Sequence, residues 1–214
     1  MRYTATYDAA LGETCVELTS NCYTDALPLL STIIFRKQEV DLKSQSLALA
    51  CAILTARYCG EVFEFDGIKI GGDYAEAIRM VLRPGVNING VDGHFRTIST
   101  GDVDIVCEKA RADGHAPIAN RLRDTVPLTR VDWSGDFVAR STRSSTNHAF
   151  GQMHTNAEFF ADQATVSTAL ALLHGRDRVR NIYVECPSND ATDLKPIASS
   201  LSTVAIGLEL LRGA

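Results

Sequence analysis

Alternating apolar and polar positions at the start of the chain predict a β-hairpin. Residues 2–7 and 14–18 alternate weakly on either side of the segment DAALGE, which is the pattern of two half-buried antiparallel strands joined by a turn. Asp25 is then placed to cap a helix over about 26–38. The apolar residues 33–35 suit a strand as well, so two structures compete in that stretch.

Two longer apolar segments predict buried helices. The first covers about 44–59, with Ser44 as its N-cap and Gly60 just beyond its end. It is apolar on almost every side, which is typical of a helix that is buried on more than one face. We therefore expect it to be the central packing element. The second helix covers about 157–174 and stops at Gly175.

Two strands and a further helix are predicted around these buried helices. Residues 61–65 and 179–186 are apolar enough for strands. Asp73 and Glu76 form a capping pattern ahead of a helix that ends before Pro84.

Two stretches rich in turn residues predict further short strands. Asn-Gly, Asp-Gly and Thr-Gly-Asp turns divide residues 86–107. Residues 128–133 and 137–140 pair in a second predicted hairpin. Between these stretches, residues 108–123 fit a helix that a glycine and a proline interrupt.

The end of the chain predicts one amphipathic helix over 191–212. Its apolar residues recur at spacings of three and four, which places them on one helical face. We expect a second copy of the chain to pack on this stripe and give a homodimer. The residues of the stripe are Leu194, Ile197, Leu201, Val204, Leu208 and Leu211.

Together these elements predict an α/β or α+β fold in which helices cover a mixed sheet. Residues 1–214 are expected to form one compact domain, since a chain of this length buries enough surface to form a core without disulfides or structural metals. A hairpin, a buried helix, a strand and a helix occur in this order in residues 1–84 and again in 128–214. Identities between the halves are negligible, so a duplicated architecture and a coincidence of alternating elements both stay open.

Composition and charge narrow the classes of partner. The formal net charge is −5, whereas a duplex-binding protein normally carries a basic patch, so nucleic acid is not an expected partner. No segment approaches about 18 consecutive apolar residues, and the first residues lack the apolar core of a signal peptide. We therefore expect a soluble, cytoplasmic protein with no membrane partner.

The cysteines are expected to be free thiols. The chain is long and shows no export signal, which argues against a disulfide framework. No CxxC pair is present, so a structural zinc site is not expected. The six cysteines are Cys15, Cys22, Cys51, Cys59, Cys107 and Cys186.

The signatures of several common enzyme classes are absent from the sequence. There is no phosphate-binding P-loop, no dinucleotide-binding glycine motif, no nucleophile elbow, no HExxH and no EF-hand loop. Their absence removes these classes in their usual form. The sequence does not identify a cofactor. A divalent metal ion is the candidate cofactor that we consider.

A metal site is one hypothesis for residues 85–105. Asp92 and His94 are two residues apart, as are Asp102 and Asp104, and on a strand this spacing puts each pair on one face. Carboxylates and an imidazole that converge in this way suit Mg²⁺ or Mn²⁺. Turn chemistry is the simpler explanation, because Asn, Asp and Gly dominate tight turns.

A second polar segment, residues 140–156, predicts an anion site. Arg140 and Arg143 offer guanidinium donors that match phosphate or carboxylate, and Asn147 adds an amide. His148 and His154 are candidate general bases near neutral pH. The start of the helix predicted to follow would add backbone donors and a positive dipole. The alternative is a solvated surface loop.

These observations give one leading function and two alternatives. The leading hypothesis is a small-molecule enzyme or ligand-binding protein that acts on an anionic, phosphorylated or similar compound. In that case Arg140, Arg143 and Asn147 hold the anion, and His148 or His154 moves a proton. The first alternative is a non-catalytic interaction or assembly protein. The second is a metal-dependent phosphoryl hydrolase built on the four metal candidates.

Overall fold

A computed structural model describes residues 1–36, 40–93, 101, 103–109, 125–130, 137–139, 154–175, 179–186 and 194–212. Within these ranges it contains four α-helices and thirteen strands. The helices are α1 (Gln45–Thr55), α2 (Gly72–Val81), α3 (Gln163–Gly175) and α4 (Lys195–Thr203). The strands up to residue 92 are β1 (Arg2–Asp8), β2 (Glu13–Thr19), β3 (Thr32–Arg36), β4 (Val62–Phe65), β5 (Ile70–Gly71), β6 (Asn87–Ile88) and β7 (Val91–Asp92). The later strands are β8 (Val103–Lys109), β9 (Thr125–Arg130), β10 (Phe137–Ala139), β11 (His154–Thr155), β12 (Val179–Cys186) and β13 (Gly207–Arg212).

The strands form two larger mixed sheets and one short pair. The first sheet has the order β11-β3-β2-β1-β4-β6, in which β1, β4 and β6 are parallel and the other neighbours are antiparallel. The second has the order β10-β9-β8-β12-β13, and only its β9–β10 pair is antiparallel. β5 and β7 pair separately. With helices packed on these sheets, the predicted α/β class is confirmed.

The core lies where the helices meet the inner faces of the sheets. All residues of α1 are buried, as predicted for a segment that is apolar on almost every side. α1 packs on α3, and α2 packs on α4. Ser44 caps α1 by accepting a hydrogen bond from the amide of Ser46, so the predicted cap is confirmed. Alternate positions of the first sheet face this core, among them the fully buried Tyr3, Phe35 and Phe63.

The two larger sheets are built in a similar order. In each, the first strand is an inner strand, the next two strands lie on one side of it, and two strands that follow helices lie on the other. β11 is the exception, because it follows α1 and α2 but lies beside β3. The sheets differ because β9 is parallel to β8, whereas β2 is antiparallel to β1. The second sheet also begins at Val103, ahead of the predicted half 128–214. Duplication stays a hypothesis.

Two predicted helices are wrong. Residues 32–36 form β3, because Ile33 and Phe35 enter the core while β3 fills the place between β2 and β11. The helix predicted over 191–212 ends at Thr203 and is followed by β13. The predicted apolar stripe is therefore divided between a helix and a strand, and the homodimer that rested on it loses its support.

A Schellman motif ends α4. The amide of Ile206 donates to the carbonyl of Leu201 at 3.0 Å, and the amide of Ala205 donates to that of Ser202 at 3.2 Å. Ala205 has a φ of 59° and occupies the left-handed position that glycine usually takes. Leu201 and Ile206 are both buried and supply the apolar contact that accompanies this motif.

Several predicted boundaries shift by a few residues. α2 begins at Gly72, with Gly71 as its N-cap and no side-chain cap, so the predicted capping role of Asp73 is wrong. The hairpin at the start of the chain and the strand over 179–186 are confirmed. β9 and β10 pair as the second hairpin predicts, and residues 110–124 lie outside the described ranges. Among the described helices, none is long and apolar enough to cross a membrane.

Candidate functional site

Most of the predicted anion-site residues lie outside the described ranges. Arg140, Arg143, Asn147 and His148 are among them, so the structure does not test whether they converge. The backbone of His154 is described and lies in β11. The structural information on this site therefore comes from the two ends of the segment.

Both ends of the segment 140–153 lie on neighbouring edge strands. The segment leaves the second sheet at β10 and enters the first sheet at β11, and each of these strands is the outermost of its sheet. β10 and β11 lie close to each other. The segment thus departs from and returns to one region, where the edges of the two sheets meet.

Arg36 and Glu13 form an ion pair at the point where the segment enters the first sheet. Backbone pairing puts His154 opposite Arg36 and puts Arg36 opposite Glu13 in the next strand. The Arg36 Nε lies 2.6 Å from Glu13 Oε1, and the arginine side chain is about half exposed while the glutamate is nearly buried. Glu13 therefore neutralises a cation that would otherwise be available to an anion here.

Asn156 fixes the chain directly after β11 to the edge of β3. Its Oδ1 accepts a hydrogen bond from the amide of Ile34, and its Nδ2 donates to the carbonyl of Thr32, both at 2.9 Å. The carboxamide thus satisfies a backbone donor and a backbone acceptor of β3, as another strand residue would. The sequence places Asn156 in the polar segment but does not reveal that its side chain bonds to the backbone of β3.

The helix after the segment begins later than predicted. Residues 157–159 form a 3₁₀ turn, and α3 begins at Gln163. The first turn of α3 is capped by Asp162, which accepts hydrogen bonds from the Thr165 amide at 3.0 Å and the Thr165 hydroxyl at 2.6 Å. A carboxylate therefore already occupies the start of this helix, which lies further along the chain than the sequence predicts.

The predicted metal residues are only partly described. His94 and Asp102 lie outside the described ranges, and only the backbone of Asp104 is described, in β8. Asp92 lies in β7, where its Oδ2 is 4.0 Å from the ammonium group of Lys69. Within the described ranges, no group of three or more His, Cys, Asp or Glu side chains could hold a metal ion.

A polar junction joins the starts of α1 and α2, beside β7. The side chain of Gln45 accepts a hydrogen bond from the Gly71 amide, and the hydroxyl groups of Ser46 and Tyr74 are 3.3 Å apart. Gly71 pairs with Asp92 in the short β5–β7 ladder. Asp73, in the first turn of α2, has a buried Oδ2 with no hydrogen-bond partner. The described surroundings thus leave one carboxylate oxygen unsatisfied.

Asp25 organises the loop between β2 and β3. Its carboxylate accepts hydrogen bonds from the amides of Asn21, Cys22 and Gly60 at 3.0, 3.3 and 2.7 Å. The Met1 amino group lies 2.8 Å from Asp25 Oδ2, and neither group is exposed. Burial alone would raise the pKa of Asp25, but the Met1 amine and these amides outweigh it and hold the pKa at about 2.

The same loop exposes a run of apolar side chains. Asp25 anchors its middle, and the amide of Ala26 donates to the carbonyl of Tyr58 at 2.9 Å. On either side of this anchor the apolar side chains face solvent instead of the core. They are Tyr23 (92% exposed), Leu27 (54%), Leu29 (106%) and Leu30 (38%).

No family model, curated protein or solved structure matches the chain. Function is therefore inferred from the residues and from their placement.

Proposed function

We propose that the protein binds a small anionic ligand, phosphorylated or similar, through residues 140–156 and acts on it as an enzyme or a binding protein. In this proposal Arg140, Arg143 and Asn147 hold the anion. His148 or His154 transfers a proton. The observation that carries the proposal is that the segment leaves and enters two neighbouring edge strands.

The placement of the two flanking strands supports this location. β10 and β11 are the outermost strands of their sheets and lie close to each other. Binding residues are frequently carried between elements of a rigid scaffold. The residue types in the segment are those that recognise a planar oxyanion, since arginine offers paired donors to it.

The contacts of the described residues narrow the proposed donors. Asp162 occupies the start of α3, Asn156 is committed to β3, and Glu13 neutralises Arg36. The proposed affinity therefore depends on Arg140, Arg143 and their neighbours within the segment.

The experiment is ligand protection against heat. Phosphate, sulfate and nucleotides should raise the melting temperature of the wild type, because a ligand that binds only the folded state stabilises it. Arg143→Ala should lose most of this protection, since one charge-assisted contact contributes about 1.5–3 kcal/mol, or roughly tenfold to a hundredfold in affinity. Arg79→Ala is the control, because Arg79 is an exposed arginine of α2 paired with Glu76. Equal protection of Arg143→Ala and Arg79→Ala would contradict the proposal.

The exposed apolar loop favours the alternative of an interaction or assembly protein. Three leucines and a tyrosine in solvent suit a contact surface, and tyrosine is common among residues that dominate binding energies. Sedimentation over a range of concentrations tests this alternative with Leu29→Ser beside the wild type. Self-association that Leu29→Ser abolishes would support this alternative. A wild type that is monomeric at all concentrations would rule out self-assembly.

The metal-dependent phosphoryl hydrolase stays a prediction from the sequence. Turn chemistry is still the preferred explanation for its candidate metal residues. A tight turn does precede β7, with Gly90 at a φ of 78°. We expect Mg²⁺ and Mn²⁺ to leave the melting temperature unchanged. A saturable rise that Asp104→Asn abolishes would establish the metal site instead.

A further inference from the structure

We propose that Cys22 and Cys59 form a peroxide-reactive thiol pair, in which Cys22 is the attacking thiolate and Cys59 is the resolving thiol. Cys22 lies in the loop between β2 and β3, and Cys59 lies just after α1. Both are free thiols in the structure. The proposal is independent of the ligand site in residues 140–156.

Hydrogen bonds hold the two segments together directly beside the cysteines. The Asp25 carboxylate accepts a bond from the Cys22 amide at 3.3 Å and another from the amide of Gly60, the residue after Cys59, at 2.7 Å. The two amides are therefore separated by one carboxylate and two hydrogen bonds. That span is comparable with the distance of about 4.4–6.8 Å between the Cα atoms of a disulfide.

The Thr24 hydroxyl lies between the Cys22 thiol and the segment after Cys59. Its oxygen is 3.2 Å from the Cys22 sulfur and accepts a hydrogen bond from the Glu61 amide, also at 3.2 Å. Its own proton is then free to be donated to the Cys22 thiolate, which lowers the pKa of Cys22. Because Cys22 is also partly exposed, a small oxidant has access to the nucleophilic form of the sulfur.

The Cys59 thiol is shielded from an oxidant in solution. It is 1% exposed and donates to the carbonyl of Val62 at 3.6 Å, and the buried Met1 amino group bonds to the same carbonyl. Burial is the main cause that raises the pKa of Cys59, and the charge of the nearby Cys22 adds to it. Peroxide therefore meets Cys22 first, and Cys59 stays a neighbouring thiol that reacts with the oxidised Cys22.

The reaction balances in two steps with hydrogen peroxide as the oxidant. The Cys22 thiolate attacks one peroxide oxygen, the O–O bond breaks, hydroxide leaves and Cys22 becomes a sulfenic acid. The Cys59 sulfur then attacks the sulfenic sulfur, the S–O bond breaks, and the hydroxyl group leaves as water with the Cys59 proton. Two thiols are oxidised to a disulfide, and the peroxide is reduced to water.

Hydrogen peroxide in small molar excess over the reduced, full-length protein tests the pair, with mass spectrometry after the remaining thiols have been blocked. In the wild type we expect a loss of two hydrogens and a peptide pair joined through Cys22 and Cys59, both reversed by dithiothreitol. This readout does not depend on the folding of any variant. Cys59→Ala should keep Cys22 as a sulfenic acid that dimedone traps, at a level at least about tenfold above the wild type. Cys22→Ala should leave Cys59 a thiol.

Cys15→Ala is the control. Cys15 is partly exposed like Cys22, but burial and the nearby Glu13 carboxylate raise its pKa. Cys15→Ala should form the disulfide at the wild-type rate, and Cys15 in the wild type should be oxidised at least about tenfold more slowly than Cys22. Equal oxidation of Cys15 and Cys22 would overturn the role of Cys22. Equal accumulation of the Cys22 sulfenic acid in the wild type and Cys59→Ala, or a disulfide from Cys22 to another cysteine, would overturn the role of Cys59.

Discussion

The backbone amide of Gly60 donates a 2.7 Å hydrogen bond to the carboxylate of Asp25, which ties the chain after α1 to the loop between β2 and β3. This approach leaves no room for a side chain at Gly60. An added Cβ would lie 2.3 Å from the Thr24 hydroxyl and 2.6 Å from the Thr24 carbonyl carbon. Close backbone approach, and not the helix end that the sequence predicts, is the reason for glycine here.

Gly60→Ala should therefore destabilise the protein. Overpacking against backbone atoms typically costs about 1–3 kcal/mol, because the chain has to move to relieve it. Gly72→Ala is the matched control, since a Cβ there meets nothing within 4 Å and the residue starts α2. Urea unfolding should show a loss for Gly60→Ala and no loss for Gly72→Ala. Equal stability of the two variants would contradict the close packing at Gly60.

Asp25→Asn should cost about 1.5–3 kcal/mol at neutral pH, because it removes charge-assisted hydrogen bonds from a buried site. The folded-state pKa of Asp25, about 2, is lower than its ordinary value of 3.8. Its stabilisation is therefore complete above about pH 4 and is lost as the pH falls toward 2, a change of about 2 kcal/mol. The gap in unfolding free energy between the wild type and Asp25→Asn should shrink over that range. A gap that stays constant from pH 5 to pH 2 would refute the low pKa.

Leu54→Ala and Leu29→Ala should differ strongly although the substitution is the same. Leu54 is 1% exposed in α1, and its truncation should cost about 2–5 kcal/mol through lost burial and a residual cavity. Leu29 is fully exposed, and its truncation should change the unfolding free energy by less than about 0.5 kcal/mol. Chemical denaturation measures both. A change below about 0.5 kcal/mol for Leu54→Ala would mean that α1 is peripheral.

Ala205→Gly should stabilise the protein by about 0.5–1 kcal/mol. A left-handed conformation costs an alanine about 1–2 kcal/mol, and the entropy that glycine loses on folding offsets only part of this relief. Ala198→Gly is the control, because Ala198 lies inside α4 in the right-handed conformation and its replacement should cost about 1 kcal/mol. Melting temperatures should move in opposite directions for the two variants. A loss of stability in Ala205→Gly would contradict the left-handed backbone.

The cysteines should differ in their rates of reaction in the folded protein. A hydrogen bond between the Thr24 hydroxyl and the Cys22 sulfur stabilises the thiolate and lowers the pKa of the Cys22 thiol, which is also partly exposed. Burial raises the pKa of Cys59 to about 11 and raises that of Cys51 further. Because the thiolate is the reactive form, Cys22 should react before both.

Titration with a disulfide reagent measures this order and the total. Cys22→Ser should remove a phase that is faster than those of Cys51 and Cys59, and Cys51→Ser should leave that phase intact. The four cysteines whose side chains are described are free, and six thiols should be counted after denaturation without reductant. A count of four or fewer would show disulfides.

The sequence predicted elements well where local and long-range preferences agree. The hairpin β1–β2 has alternation and a short turn, and α1 has a serine cap followed by an unbroken apolar run. β12 is a dense apolar segment of strand length. In each case the residues that favour the element locally are also those that the core buries.

Elements were missed where tertiary contacts decide between two local structures. Residues 32–36 fit both a helix and a strand, and the edge partners β2 and β11 settle the choice. The end of α4 lacks the glycine that marks a Schellman motif, since Ala205 takes its place, so the apolar spacing appeared to continue through β13. The sequence does carry a signal for the start of α3, namely Asp162 three residues before Thr165.

The candidate site was less predictable than the fold. Residue types alone indicated an anion site in 140–156, yet they did not reveal that Asn156 is bonded to a strand more than a hundred residues away. Arg36 gave no local signal either, because its ion pair with Glu13 follows from the register of β2 and β3. Such roles depend on which strands become neighbours, and composition and periodicity do not encode that.

The placement of β11 has a consequence for synthesis of the chain. A ribosome makes β3 long before it makes residues 154–156, so the first sheet emerges with a bare outer strand. The apolar surface of α1 that packs on α3 also stays uncovered until α3 has been synthesised. Unpaired strands and uncovered apolar helices recruit other chains. Truncated products that stop before residue 154 should therefore aggregate, and this protein should depend on chaperones most while its second half is being translated.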